Sequence, residues 1–372
     1  MLPFVKLREK PSLKDVVGAF YPIVLDRCTM HKKPLISVIM PVRNVPERFL
    51  APAIESILNQ SFRDFEFLIV DDGSTDDTFQ RLRRFADADE RIKLFHTSGV
   101  GIPAALNLAI QHAEGIYLAR MDGDDISTPD RFAEQVAYLN AHPECVAVGA
   151  DVLMIDPQGD PLTRLWTHPR HEHIEKAFLF GMGGAIVHPL VMMRREAVLA
   201  VGMYDSRFKY AEDLDLFLKL CEVGKVANIP KVLLHYRQQL QSVCHNRLPE
   251  QAALGHQIIM EARARRGLPF EDIMLPTTRM MPPGLYHFRW AKMAFFGKHY
   301  RTARKHFFRA LWRMPLELMP WFHFVSYYVR RRFRSKVLKR PVTPRPRFGA
   351  NQPRDLETTH LANTNTEQKH AA

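Results

Sequence analysis

The chain is poor in cysteine. Its 372 residues hold four, Cys28, Cys145, Cys221 and Cys244, and no two form a Cys-x-x-Cys pair. That excludes a zinc ribbon and a disulfide framework, and it fits a reducing compartment. Long hydrophobic runs are also missing, since no stretch reaches the roughly 20 apolar residues of a membrane-spanning helix. The amino terminus, MLPFVKLREKPSLKDVV, lacks the apolar core of a secretory signal. The expectation is a cytoplasmic protein. No Gly-x-Gly-x-x-Gly follows an apolar strand-like run, so the dinucleotide-binding fingerprint is absent. The segment after the first such run, PVRNVPER (41–48), contains no glycine and offers no Gly-rich basic loop for a triphosphate. No internal repeat is visible. GKHYRTARKHFFRALWRMP (297–315) resembles a tetratricopeptide helix, but one copy does not make an array.

What the chain does have is carboxylates at strand ends. GIYLARMDGDDIS (115–127) puts Asp122, Asp124 and Asp125 on a turn after an apolar strand. The glycine between Asp122 and Asp124 would let the backbone bend so that the two side chains converge. Convergent carboxylates suit a hard cation, because Mg²⁺ and Mn²⁺ prefer oxygen ligands and Mg²⁺ takes several from substrate phosphates. A solvated acidic turn is the plainer alternative, and Asp125 has a cap role open to it at the helix starting near Pro129.

The surrounding pattern is α/β. LISVIMPV (35–42) and FEFLIV (65–70) read as buried strands, and 46–60 between them has helical spacing of Leu50, Ile54, Ile57 and Leu58. Helical 76–87, strand-like 92–96, helical 102–113 and strand 117–121 repeat the unit. This predicts a parallel sheet. Ligands bind beyond the carboxyl ends of such strands, where Pro41, Asp71 and Asp122 all fall. With 46% hydrophobic residues, the chain has material for one large α/β domain and a smaller appendage.

Five segments then carry a resemblance: SVIMPVRN (37–44), FLIVDDGSTDDT (67–78), GVGIPAALNLAI (99–110), LARMDGDDISTPDRFAEQ (118–135) and YAEDLDLFLKL (210–220). In this order and spacing the chain resembles the inverting family 2 glycosyltransferases. With HPLVMMRR (188–195) added, it looks most like bacterial members that build capsule, lipopolysaccharide or exopolysaccharide. The resemblance implies the GT-A fold, a Rossmann-like, mostly parallel sheet flanked by helices. It implies a nucleotide-sugar donor, UDP-linked, a glycan or lipid-linked acceptor, and Mg²⁺ or Mn²⁺. Residue by residue, Pro41, Val42 and Asn44 would line the uridine pocket and Asp71 would accept a hydrogen bond from the base. Asp72 and Gly73 would close the turn behind it. Asp122 would meet ribose or metal, Asp124 would hold the metal, and Asp213 would be the general base.

Two positions depart from the family. Arg43 stands where a tyrosine is common. In LHYRQQLQSVC (234–244), Gln239 takes the place of a histidine that His235 or His245 would have to replace. The Gln-x-x-Arg-Trp segment of the processive synthases is absent, which points to one sugar per binding event. The alternatives are a sugar-phosphate nucleotidyltransferase, disfavoured by the glycine-free 41–48 segment, and a dead glycan- or membrane-binding module. Asp71, Asp122, Asp124 and Asp213 argue against the second, and metal-dependent transfer would decide. The loops within 151–188 are expected to shape donor and acceptor choice.

Charge is unevenly spread. Residues 285–347 hold seventeen Lys and Arg against one acid, Glu317, so this segment exceeds the whole chain's +12 and the remainder is net acidic. Aromatics such as Trp290, Tyr300, Phe308 and Trp312 are interleaved. Residues 286–313 and 316–336 read as helices, with breaks at Pro315 and Gly297. Basic helices with aromatics suit an anionic membrane surface, and RRRFRSKVLKR (330–340) would add to it. A helical subdomain packed on the core explains the aromatics equally. Nucleic acid is disfavoured because no nucleic-acid module is present. The expected organisation is an extension (1–34), a catalytic domain (35–245), a basic helical region (246–340) and a disordered polar tail (341–372).

Overall fold

The computed structural model describes residues 33–182, 184–240, 248–269 and 282–315, with residue 326. The amino-terminal extension, the helix expected at 316–336, the basic run 330–340 and the tail fall almost wholly outside these. The chain divides into two compact units, Met1–Pro320 and Trp321–Ala372. All elements below lie in the first.

The amino-terminal half alternates strand and helix as the apolar periodicity dictates. β1 (Ile36–Val42), α1 (Glu47–Leu58), β2 (Phe65–Asp72), α2 (Thr78–Ala88), β3 (Ile92–Thr97), α3 (Ile102–His112) and β4 (Tyr117–Arg120) follow in order. β1, β2, β3 and β4 pair in parallel, so their carboxyl ends share one edge. Val42 lies opposite Asp71, Asp71 opposite His96, and Ile39 opposite Arg120. The three polar ends therefore converge as expected.

The strands bury both faces. Ile39, Leu68, Val70 and Leu118 enter one core, and Val38, Met40, Phe67, Ile69 and Ala119 enter the other. This is the period of two that a pleated strand imposes. It explains why these runs are apolar throughout rather than alternating.

The sheet then becomes mixed. β5 (Ile126–Ser127), α4 (Arg131–Ala141), β6 (Cys145–Ile155), β7 (Pro161–Leu165) and α5 (His171–Leu179) follow. β8 (Met192–Arg194), α6 (Arg195–Ala200), α7 (Glu212–Val223) and β9 (Lys225–Arg237) complete the sheet region. Strand order is β3-β2-β1-β4-β8-β6-β9-β5, with β7 on β6. β8 runs antiparallel between β4 and β6, and β5 pairs with the end of β9, Ile126 opposite His235. The acidic turn is thus held by β4 on one side and by β9 on the other. Much of 151–188 is ordered in β6, β7 and α5, which corrects its reading as loops.

α8 (Leu248–Arg265), α9 (Pro283–Phe296) and α10 (Tyr300–Arg313) follow the sheet. Gly297 ends α9 where the break was expected, and a Cβ there would sit 2.4 Å from the Leu162 carbonyl oxygen. α9 and α10 pack on each other and on β7. Their anchor is polar. Fully buried Asp156 accepts from His306 Nε2 at 2.8 Å and also pairs with Lys305. Because His306 donates through Nε2, its Nδ1 must accept, so His287 Nδ1 donates across the 3.0 Å contact between them. Burial holds His306 below the usual histidine range, and burial with the neighbouring His306 holds His287 down to about 4.

An undocked histidine binds its proton near 6.5, whereas docking lowers the proton affinity of both, that of His287 to about 4. Docking stability is therefore present above about pH 6.5 and is lost as pH falls through the docked values. Hydrogen exchange over 283–313 should accelerate between pH 7.5 and 5 relative to β1–β4, and His306→Gln should flatten that difference. Uniform protection across this range would contradict the assignment.

Candidate active site

β4 ends at Arg120, and the chain turns through Asp122–Asp125 before β5. One oxygen from each of Asp122, Asp124 and Asp125 lies within 4.8 Å of the others. Asp125 is not a helix cap, since α4 starts after Asp130. It is fully buried, its Oδ1 accepts the Arg237 backbone N–H at 2.7 Å, and its Oδ2 has no partner. The bend does not require Gly123. That residue is not left-handed, and a Cβ on it would meet Val45 and Val42 at 3.4 and 3.6 Å, which is near ordinary contact.

Three carboxylates this close resist joint ionisation. Burial first and the Asp122 charge second push Asp124 up to about 6. Burial and the Asp124 charge put Asp125 well above the ordinary range. The Gln239 side-chain amide donates to Asp124 and opposes the rise. Gln239, which stands where the resemblance places a histidine, thus contacts Asp124 directly. His235 lies in β9 opposite Ile126, and His245 is outside the described residues. Arg237 ties the turn from below, with Nε on the Asp124 carbonyl at 2.7 Å. An all-oxygen set with a buried, unpartnered acceptor fits a hard divalent cation.

Behind the turn sits Arg120, whose side chain is buried and whose Nη1 lies 2.5 Å from Asp122 Oδ2. The contact is ionic rather than an aligned hydrogen bond, and Nε and Nη1 have no hydrogen-bond partner. Its charge also reaches Asp124, Asp125, Glu212 and Asp213 and tempers the rise of each. α7 begins at Glu212, so Glu212 and Asp213 sit in the first turn, where the helix dipole favours carboxylates. Burial nonetheless dominates. Glu212 is pushed up to about 7 and Asp213 is raised, while the Leu214 N–H holds one Asp213 oxygen at 2.8 Å. Beside them His188 Nε2 contacts the Tyr204 hydroxyl at 2.8 Å, and burial keeps His188 neutral and Tyr204 protonated.

The residues expected around a nucleobase lie at the ends of β1 and β2. Asp71 is fully buried. Its Oδ2 accepts from Ser74 N at 3.2 Å and contacts His96 Nδ1 at 2.8 Å, and its Oδ1 has no partner. Asp72 accepts from Thr97 Oγ1, Val100 N and Gly101 N at 2.6–2.9 Å, fixing the loop after β3. Gly73 has a left-handed φ of 68°, and a Cβ on it would strike Gly99 N at 2.7 Å. Here glycine is required. Asn44, at φ 50°, clamps this turn, its side chain binding Thr75 N and Thr75 Oγ1 at 2.8 and 3.2 Å. Pro41 is partly buried, and Val42 points into the core. Exposed Arg43 lies along Gly99.

Arg120 and Arg237 were not singled out from the sequence, because a basic residue inside an apolar strand reads as surface, and Asp125 was named on the turn but read as a cap rather than a ligand. The alternation of β4 was the available signal. Removing the buried cation leaves carboxylates unpaired. Arg120→Met should cost about 3–5 kcal/mol in chemical denaturation, and a cost under about 1 kcal/mol would contradict its role.

Comparison with known proteins gives a consistent answer. The family description "Glycosyl transferase family 2" matches residues 37–202, which hold β1 through α6 and the acidic turn. EpsE of Bacillus subtilis strain 168, named as a candidate glycosyltransferase, is 33% identical over 272 residues, spanning 71% of this chain and 95% of that protein. WbnJ of Escherichia coli, an O-antigen biosynthesis glycosyltransferase, is 30% identical over 228 residues, spanning 60% and 84%. Among solved structures, residues 1–349 of Staphylococcus aureus TarS with UDP show 16% identity and a TM-score of 0.48, spanning 75% of this chain and 91% of that one. With relatives of that identity matched over most of their length, the chain belongs to glycosyl transferase family 2 and has the GT-A-type fold.

Proposed function

We propose that the protein moves a single sugar from a UDP-sugar to a hydroxyl of a glycan or lipid-linked acceptor, with inversion, in bacterial surface polysaccharide synthesis. The observation that carries this reading is the convergence of Asp122, Asp124 and Asp125 within 4.8 Å of one another at the end of β4. Arg120 pairs with Asp122, and its charge also reaches Asp213. The role of WbnJ in O-antigen biosynthesis supports the substrate class.

Mg²⁺ or Mn²⁺ held by Asp122, Asp124 and Asp125 would supply charge neutralisation on a diphosphate leaving group. The chain's own residues account for the rest. Asp71 keeps one buried acceptor oxygen without a partner, which suits the ring N–H of uracil. Because Asp71 has no exposed surface, a base reaches it only when a covering group moves. Asn44 and Gly73 hold the two turns that flank it.

Asp213 serves as general base in this reading. The acceptor oxygen forms its bond to the anomeric carbon as its proton passes to the Asp213 carboxylate. The bond from that carbon to the phosphate oxygen breaks, and its electron pair leaves on the nucleotide. The Leu214 N–H orients one Asp213 oxygen and leaves the other to accept. A carboxylate raised by burial is a stronger base than an ordinary aspartate, provided that it is ionised at working pH. One-sugar transfer is supported by the lack of a Gln-x-x-Arg-Trp segment. No helix among the described residues is long and apolar enough to cross a membrane.

Asp213→Asn should lower kcat by about 10²–10⁴-fold while UDP affinity is kept. In the wild type the rate should fall as pH falls, with an acid limb above the usual aspartate value of about 3.9. Turnover of the variant at the wild-type rate would remove Asp213 from the role.

A further inference from the structure

α10 presents a face that the catalytic reading does not use. Its inner side is fixed: His306, Phe307, Ala310 and Leu311 are buried, and His306 and Lys305 bind Asp156. Its outer side is therefore fixed too. Arg301, Arg304, Phe308 and Trp312 follow at intervals of three and four residues, the spacing of one helix face. The stripe is about 17 Å long. Trp312 is 83% exposed and Phe308 53% exposed. Arg301 and Arg304 form no ion pair among the described residues, and 282–315 contains eight Lys and Arg and no acid.

Exposed Trp on a rigid helix costs solubility unless something apolar receives it. The flanking charges say what kind of surface that is. Cations beside protruding aromatics match an interface whose outer layer is anionic and whose interior is hydrocarbon. An acidic protein groove would complement the charge but would not account for Phe308 and Trp312 protruding beside the arginines. A nucleic acid would use aromatics for stacking, and no nucleic-acid module accompanies them.

We infer that the outer face of α10, Arg301, Arg304, Phe308 and Trp312, docks the protein on an anionic lipid surface. The face is coupled to the acidic turn by short links. Asp156 binds His306 through its side chain, its backbone carbonyl accepts from Arg237 Nη1 at 3.3 Å, and Arg237 holds the Asp124 carbonyl. A docked α10 thus sets the orientation of the carboxylate turn to the membrane, where a lipid-linked hydroxyl would be presented. The docking claim does not depend on the proposed reaction.

The test uses the full chain with vesicles of phosphatidylcholine alone or mixed with phosphatidylglycerol. Wild type should sediment with the mixed vesicles only, less so at high salt, with a blue shift of tryptophan emission. Arg301→Ala and Arg304→Ala should each lower partitioning about fivefold. Trp312→Ala should weaken binding and abolish the shift, and Trp312→Phe should retain binding. All four substitutions are on exposed positions, and an unchanged circular dichroism spectrum and thermal midpoint would verify folding. Equal binding of wild type to both vesicle types, wild-type partitioning of the arginine or alanine variants, or binding only to a single-stranded oligonucleotide would each overturn the inference.

Discussion

Mutual repulsion among three carboxylates within 4.8 Å is the constraint that organises this protein. Left alone, such a turn would splay into solvent. Here it is held from three directions. Arg120 offsets it from β4, Arg237 ties it to β9 through backbone atoms, and Gln239 engages Asp124. None of these restores an ordinary carboxylate, because burial first and the neighbouring charges second keep Asp124 and Asp125 raised. The fold stores a demand for positive charge at the edge of the sheet, which in the proposed reading a cation with a diphosphate would answer.

The rest of the architecture serves that turn. The parallel strands β1, β2 and β4 bring Asp71 and the acidic turn level with one another. The antiparallel insertion of β8 makes room for β6 and β9, which reach the turn from the far side. α7 supplies Glu212 and Asp213 from the opposite wall. The network of Asp156, His306 and His287 then fastens α9 and α10 to the end of β6. An acidic site and a strongly basic helical face are thus built into one compact unit without neutralising each other.

Much of this was legible in the chain. Continuous apolar runs ending in Pro41, Asp71 and Asp122 were enough to place three strands, their direction and the shared edge, since only burial on both faces rewards such runs. Helix boundaries near Glu47, Thr78 and Ile102 followed from apolar spacing. The second half was less legible. β8 is three residues long and β5 two, too short to show a period, and their pairing is decided by contacts distant in sequence. Asp125 read as a cap because sequence shows the residue but not the Arg237 N–H that claims it. Gly123 was credited with a bend that its backbone does not need. Asn44, expected to line a pocket, spends its side chain on Thr75. Gln239 was noted as a departure from the family pattern, and its bond to Asp124 became visible only when β9 was brought beside the turn.

The most direct test of this account is calorimetric titration of the protein with UDP, in Mn²⁺ and then in chelator, for wild type and Asp124→Ala. If the carboxylate turn holds a cation that grips the diphosphate, wild type binds UDP with Mn²⁺, loses it with chelator, and the variant binds in neither. UDP binding that is the same with chelator, or that survives in Asp124→Ala, would contradict the claim that this turn is the nucleotide-sugar site.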